Sequence, residues 1–114
     1  MSDRLRTELE TIADGPGPHA GVARVALDEG PLERRLEAAI CALAGHRGAG
    51  SSTCPSDAAR AVGGADWRTA MDAARDISRS LARRGLVQIT QRGEVLDPDG
   101  EWRGPIRIRA ADLP

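Results

Sequence analysis

A chain of 114 residues with 16 basic and 17 acidic side chains, 40% apolar residues and 2% aromatics has room for one small soluble domain with one core. Leu, Ile and Val together supply 21 residues, low for a globular chain, but a net charge of -1 removes the self-repulsion that accompanies disorder at such a composition. No apolar run reaches the roughly 20 residues that cross a bilayer, and the opening MSDRLRTELE has neither an apolar signal core nor a cleavage site, so the cytoplasm is the expected location.

Residues 1–14 carry Leu5, Leu9 and Ile12 at helical spacing among charges, a stripe too narrow to stand without a partner surface. GPGPHAG at 15–21 reads as a helix-breaking linker, so that residues 1–30 form a loosely attached amino-terminal segment and the folded unit begins near Pro31. PLERRLEAAICALAG then places Leu32, Leu36, Ala39, Ile40 and Leu43 on one helical face, and Gly45, Gly48 and Gly50 offer the exit. SSTC is short enough for one edge strand. CPSDAARAV starts a second helix, with Cys54 at the cap, Pro55 at the first helical position and Asp57 at the positive end of the dipole, ending at Gly63 and Gly64.

Asp66 suits the N-cap of a third and longest helix, whose apolar positions Trp67, Ala70, Met71, Ala74, Ile77 and Leu81 follow the 3.6-residue repeat up to Gly85. The period then changes to two: Val87 and Ile89 alternate with Gln88 and Thr90, and Ile106 and Ile108 with Arg107 and Arg109. These predict paired antiparallel strands joined by a long hairpin arm with Asp97, Pro98, Asp99 and Gly100 at its tip.

Helix, short strand, helix, tight turn, longer helix and two strands joined by an extended loop is the order of a winged helix-turn-helix domain. The expected class is therefore α+β, three helices plus a small antiparallel sheet with an extended wing, over residues 31–110. The pieces CPSDAAR at 54–60, DWR at 66–68, ITQRG at 89–93 and GPIRIR at 104–109 carry a further indication. Residues 38–109, which contain them, resemble a bacterial family known only as a domain of unknown function. The resemblance implies a winged-helix fold and brings no activity, substrate or catalytic residue.

Every basic side chain is Arg, Lys, Phe, Tyr and Asn are absent, and Ala occurs 19 times, so the alphabet reflects coding bias as well as chemistry. Arg nevertheless keeps its planar five-donor fork for phosphate and carboxylate. At about 100° per residue, Arg68, Asp72, Arg75, Arg79 and Arg83 fall within roughly 80° of one another on the third helix, away from its apolar stripe. Four arginines facing solvent together point to duplex DNA, with this helix in the major groove and Arg60 as a further contact. Arg–Asp pairs at three- and four-residue spacing on the same face are equally the mark of an ordinary solvated helix.

Two features oppose DNA. Residues 55–114 hold ten Arg against nine Asp and Glu, a net of +1, where DNA-binding domains show a clear basic excess. Glu94, Asp97, Asp99 and Glu101 would repel phosphate from the wing, which only Arg92 and Arg103 flank. The competing reading is a protein-interaction or dimerisation module on the same scaffold, using the Leu5, Leu9 and Ile12 stripe against a second copy. Trp102 would serve as an anchor there, or else fold back on Val95 or Leu96 to close the wing.

No enzyme is expected, since neither His19 nor His46 is spaced to serve a Ser or Cys nucleophile. GHRGAGSS follows a helix and lacks the lysine of a phosphate-binding loop. Cys41 and Cys54 fit no zinc pattern, so free thiols, no metal and no cofactor are expected, with Cys54 at a helix cap the one thiol placed for reactivity.

Overall fold

The computed structural model describes residues 4–48 and 51–111. Among the described residues five α-helices, one 3-10 stretch and three strands follow one another: α1 (Arg4–Asp14), α2 (Ala20–Leu27), α3 (Leu32–Arg47), α4 (Pro55–Gly63), the 3-10 stretch (Gly64–Ala70), α5 (Met71–Arg83), β1 (Val87–Gln91), β2 (Glu94–Val95) and β3 (Arg107–Ala110). The class is α+β with a small antiparallel sheet, and there are more helices among the described residues than the three expected.

The additional helices come from the amino-terminal third. GPGPH does interrupt the helix, but the break is short, and α2 forms where a linker was expected. Both helices then join the single core: Leu9 and Ala23 are fully buried, and α1 touches α2, α3 and α4. A core with no Phe or Tyr and many alanines buries little area per residue, so it takes more helices to cover it. The boundary at Pro31 therefore does not divide the hydrophobic cluster, and the Leu5, Leu9 and Ile12 stripe is covered by the chain itself.

α3 is the longest helix and the centre of the structure, touching α1, α2, α4, α5 and β3. Its Leu36, Ile40 and Leu43 are fully buried, whereas Leu32, expected on that face, is exposed at the first turn. A Cβ on Gly45 would meet the imidazole of His19, so the ring at the start of α2 lies directly over this turn of α3. Gly48 takes φ +79° after the last turn, which satisfies the expected exit; Gly50 lies outside the described residues.

α4 follows its sequence signals closely, with Cys54 at the N-cap, Pro55 at the first position and Gly64 at φ +61° beyond its end. The next expectation fails. Asp66 does not cap a long helix: it is a non-helical residue (φ -98°, ψ 21°) inside the 3-10 stretch, and its carbonyl accepts from the Thr69 hydroxyl at 2.8 Å. α5 starts only at Met71, so its 13 residues span about 20 Å. Adjacent glycines at 63 and 64 disfavour helix continuation, and the chain enters α5 through tighter turns.

SSTC is reduced to one bridge, in which Thr53 and Ile108 exchange backbone hydrogen bonds of 2.7 Å in both directions. The sheet order is β2-β1-β3, antiparallel throughout, with Ile89 opposite Ile108 and both fully buried. The hairpin tip is also elsewhere than expected. β1 turns into β2 through Arg92 and Gly93, with φ of +54° and +84°, a two-residue turn of the kind that matches strand twist. Residues 96–105 therefore form no projecting arm; they pass back across α5 before β3 begins.

Candidate nucleic-acid interface

Five arginines are candidates from sequence, and the fold separates them into two groups, each built around one of the two tryptophans. Arg75, Arg79 and Arg83 lie on α5 at one-turn spacing and meet the loop between β2 and β3. Arg79 is half-buried, and its Nη1 donates to the carbonyls of Pro98 and Gly100, each at 2.6 Å. Its guanidinium lies 3.9 Å from the centre of the Trp102 ring, while that of Arg75 lies 5.9 Å away. Arg75 also makes a long 3.4 Å contact to the Gly104 carbonyl, and Arg83 donates to the Asp99 carboxylate.

The loop is held from its own side as well. The Trp102 indole N–H donates to the Asp97 carbonyl at 2.9 Å, and the Asp97 carboxylate accepts from the Asp99 amide. Gln91 on β1 donates its side-chain amide to the carbonyls of Arg103 and Pro105 at 2.6 and 3.0 Å. Trp102 and Leu96 are both packed against the core, whereas Val95 is exposed. Trp102 thus folds back to close the loop, but its main neighbours are arginines of α5. Of the arginine face expected to point to solvent, Arg79 is covered by the loop's own backbone, whereas Arg83 stays exposed beside Asp99.

Arg68 does not belong to that face. Each 3-10 residue turns the chain about 20° further than an α-helical one, so a wheel that assumes one helix from residue 67 to 85 loses phase. Arg68 instead stacks on Trp67, with its guanidinium 4.5 Å from the ring centre, and Arg60 from the last turn of α4 stacks at 4.6 Å. Both arginines are exposed, while Trp67 is half-buried and packs its inner edge on the core. The junction of α4 and α5 therefore presents two guanidinium groups held on one aromatic ring, with their donor edges toward solvent.

The most heavily bonded arginine was not singled out from sequence. Arg47, at the end of α3, makes a bidentate pair with Glu8 of α1 at 2.7 and 3.0 Å. The same guanidinium reaches Asp57 of α4 at 3.2 Å and the Ser52 carbonyl at 2.9 Å. Its pKa is raised above the ordinary arginine value, chiefly by the Glu8 hydrogen bond. Burial pushes the Asp57 carboxyl up, but hydrogen bonds from Thr53 and Cys54 and the Arg47 charge outweigh it and hold the group below its ordinary value. Arg47 of α3 thus ties α1, α4 and the segment at Ser52 together, and Asp57, which keeps its expected place in the first turn of α4, is one of its partners. No local pattern signals a pair 39 residues apart in sequence.

Cys54 places its sulfur 3.0 Å from the Ser56 hydroxyl and makes no side-chain cap bond to α4. Burial, aided by Glu37, pushes the Cys41 thiol up. An open groove of about 290 Å³ lies between Pro55, Met71, Ile106 and Arg107. Among the described residues no group of three or more His, Cys, Asp or Glu side chains could hold a metal ion, and no helix is long and apolar enough to cross a membrane.

No curated protein matches the chain. A family model does, over residues 33–111, a span that takes in all but the first residue of α3 and everything from there through β3, with both tryptophan clusters, and leaves α1 and α2 outside. That span is more than half of the chain, which therefore belongs to the family described as protein of unknown function (DUF3253).

Proposed function

We propose that this protein is a winged helix-turn-helix scaffold that contacts the backbone of duplex DNA at the α4–α5 junction, in a regulatory role and in the cytoplasm. The order α3, Thr53 bridge, α4, turn, α5, β1, β2, β3 supports the fold reading, with residues 96–105 in the place of the wing. The observation that carries the functional reading is the exposed pair of Arg60 and Arg68 on the Trp67 ring. A guanidinium stacked on an aromatic ring has lost much of its rotamer freedom before it meets an anion, so less is given up when it binds phosphate. Among the described residues neither of these two arginines has a carboxylate partner, unlike Arg47, Arg83 and Arg84.

The test is binding to random-sequence duplex DNA across a salt series. Each phosphate contact steepens the plot of log affinity against log salt by about 0.9, so the Arg60→Ala, Arg68→Ala double variant should flatten the slope by about 2. Lys at both positions should restore most of it, because phosphate responds to the charge. A wild-type protein that does not bind even at low salt would overturn the reading.

A second reading is an interaction module on the same scaffold that binds no nucleic acid. It is favoured by the covered arginine face of α5 and by Glu94, Asp97, Asp99 and Glu101 beside it. The amino-terminal stripe no longer argues for a homodimer, since it is buried within one chain.

A further inference from the structure

We infer that residues 96–105 occupy, within the chain, a surface of α5 able to take a nucleic-acid backbone, so that the loop and duplex DNA compete for Arg75, Arg79 and Arg83. This rests on the DNA reading above and adds a second, covered surface to it.

The chemistry of the occupant motivates the inference. Duplex DNA offers arginines closely spaced oxygen acceptors, the anionic phosphate oxygens of the backbone and the carbonyl oxygens of base edges. The loop offers comparable acceptors, the Asp99 carboxylate on Arg83 and the Pro98 and Gly100 carbonyl oxygens on Arg79, while the Trp102 ring covers the face of Arg79. Three arginines one turn apart on a single helix are all contacted by one ten-residue segment. A positively charged helix face covered by an acidic strap keeps the protein near neutral there, and it is the acidic strap that repels DNA from this side.

The hold has a strong centre and a weak rim. Arg79 is half-buried under two short hydrogen bonds, but the Arg83–Asp99 pair is exposed, at 51% and 68% of the side-chain surfaces, and Arg75 makes only the long contact to Gly104. Exposed ion pairs contribute little and are screened by salt. Trp102 is therefore the residue that keeps the loop down, since its ring stacks on Arg79 and its N–H closes the loop on Asp97.

The experiment compares wild type with Trp102→Ala in the same salt series on random-sequence duplex DNA, each with and without Arg60→Ala, Arg68→Ala. If Trp102→Ala does not unfold cooperatively, Trp102→Leu with Asp99→Asn keeps an apolar cover over the core and takes its place. Release of the loop should steepen the salt slope by about 2 to 3 and tighten low-salt binding by about tenfold or more. Adding Arg79→Ala to the released variant should remove most of that gain. A wild type that fails to bind beside a Trp102 variant that binds would overturn the Arg60–Arg68 reading and support the covered surface. A wild type that binds through Arg60 and Arg68, with an unchanged slope in a folded Trp102 variant, would overturn the covered surface alone. Absence of binding by both proteins would overturn both.

Discussion

The two tryptophans are surrounded by the same chemistry and do different work. Each has two guanidinium groups against its ring, yet the Arg79 group is half-buried under two carbonyl oxygens, while the Arg60 and Arg68 groups keep their donor edges in water. The difference lies in the backbone that accompanies each ring. Around Trp102 an irregular loop brings carbonyls that no strand or helix satisfies, and arginine is the donor long enough to reach them. Around Trp67 the backbone is a 3-10 stretch whose Asp66 carbonyl accepts from the Thr69 hydroxyl, and the two arginines meet the ring instead. An arginine count on a helical wheel cannot separate these cases, because it records where a charge sits and not whether acceptors are waiting there.

The comparison can be broken by substitution. Trp102→Ala should be the most damaging change, costing about 2 to 3 kcal/mol in urea denaturation, since it removes a half-buried ring and the closure of the loop. A loss below about 0.5 kcal/mol would mean that the loop is not held as described. Arg79→Ala should follow at about 1 to 2 kcal/mol, because two carbonyls lose their donor. Combined with Trp102→Ala it should add less than its own full cost, as neighbours in one cluster do.

Acid sensitivity should come from the Arg47–Asp57 tie. Asp57 has a lowered pKa in the folded protein, so its contribution is fully present above its unfolded value and is lost as pH falls through the folded one. Asp57→Asn should therefore cost about 1 kcal/mol at neutral pH and flatten the fall in stability below about pH 5. An unchanged acid limb in denaturation at a series of pH values would count against the Arg47–Asp57 tie. The smallest effects are expected at Arg60→Ala and Arg68→Ala, each within about 0.5 kcal/mol by thermal or urea unfolding. That small effect sharpens the contrast, because the same substitutions should produce the loss of salt slope described above.

Much of the architecture is legible in the residues. The α3 stripe of Leu36, Ile40 and Leu43, the Cys54-Pro55 start of α4, and the burial of Val87, Ile89, Ile106 and Ile108 appear as read, because each depends on neighbours within a turn or a strand, whereas Thr90, expected on the outer face of β1, is buried and Ile106 precedes β3. The start of α5 departs from the sequence signal, since Asp66 is a good N-cap by type but follows two glycines that let the chain tighten first. α2 is not legible because AGVARVAL is short, nearly featureless, and adjacent to a Gly-Pro segment that reads as linker; packing on α3 is what makes it a helix.

What the sequence determined by itself is local: where α4 caps, which faces are apolar, where period 3.6 gives way to period 2, and which helical positions carry arginine. The tertiary structure decided what those arginines do. Whether Arg79 meets water or a carbonyl, whether Arg47 ties α1 to α4, and whether Leu9 faces solvent or the core depend on segments brought together from 19 to 39 residues apart. Side-chain hydrogen bonds and stacking act only over a few ångströms, so their partners are set by the path of the chain and not by its composition.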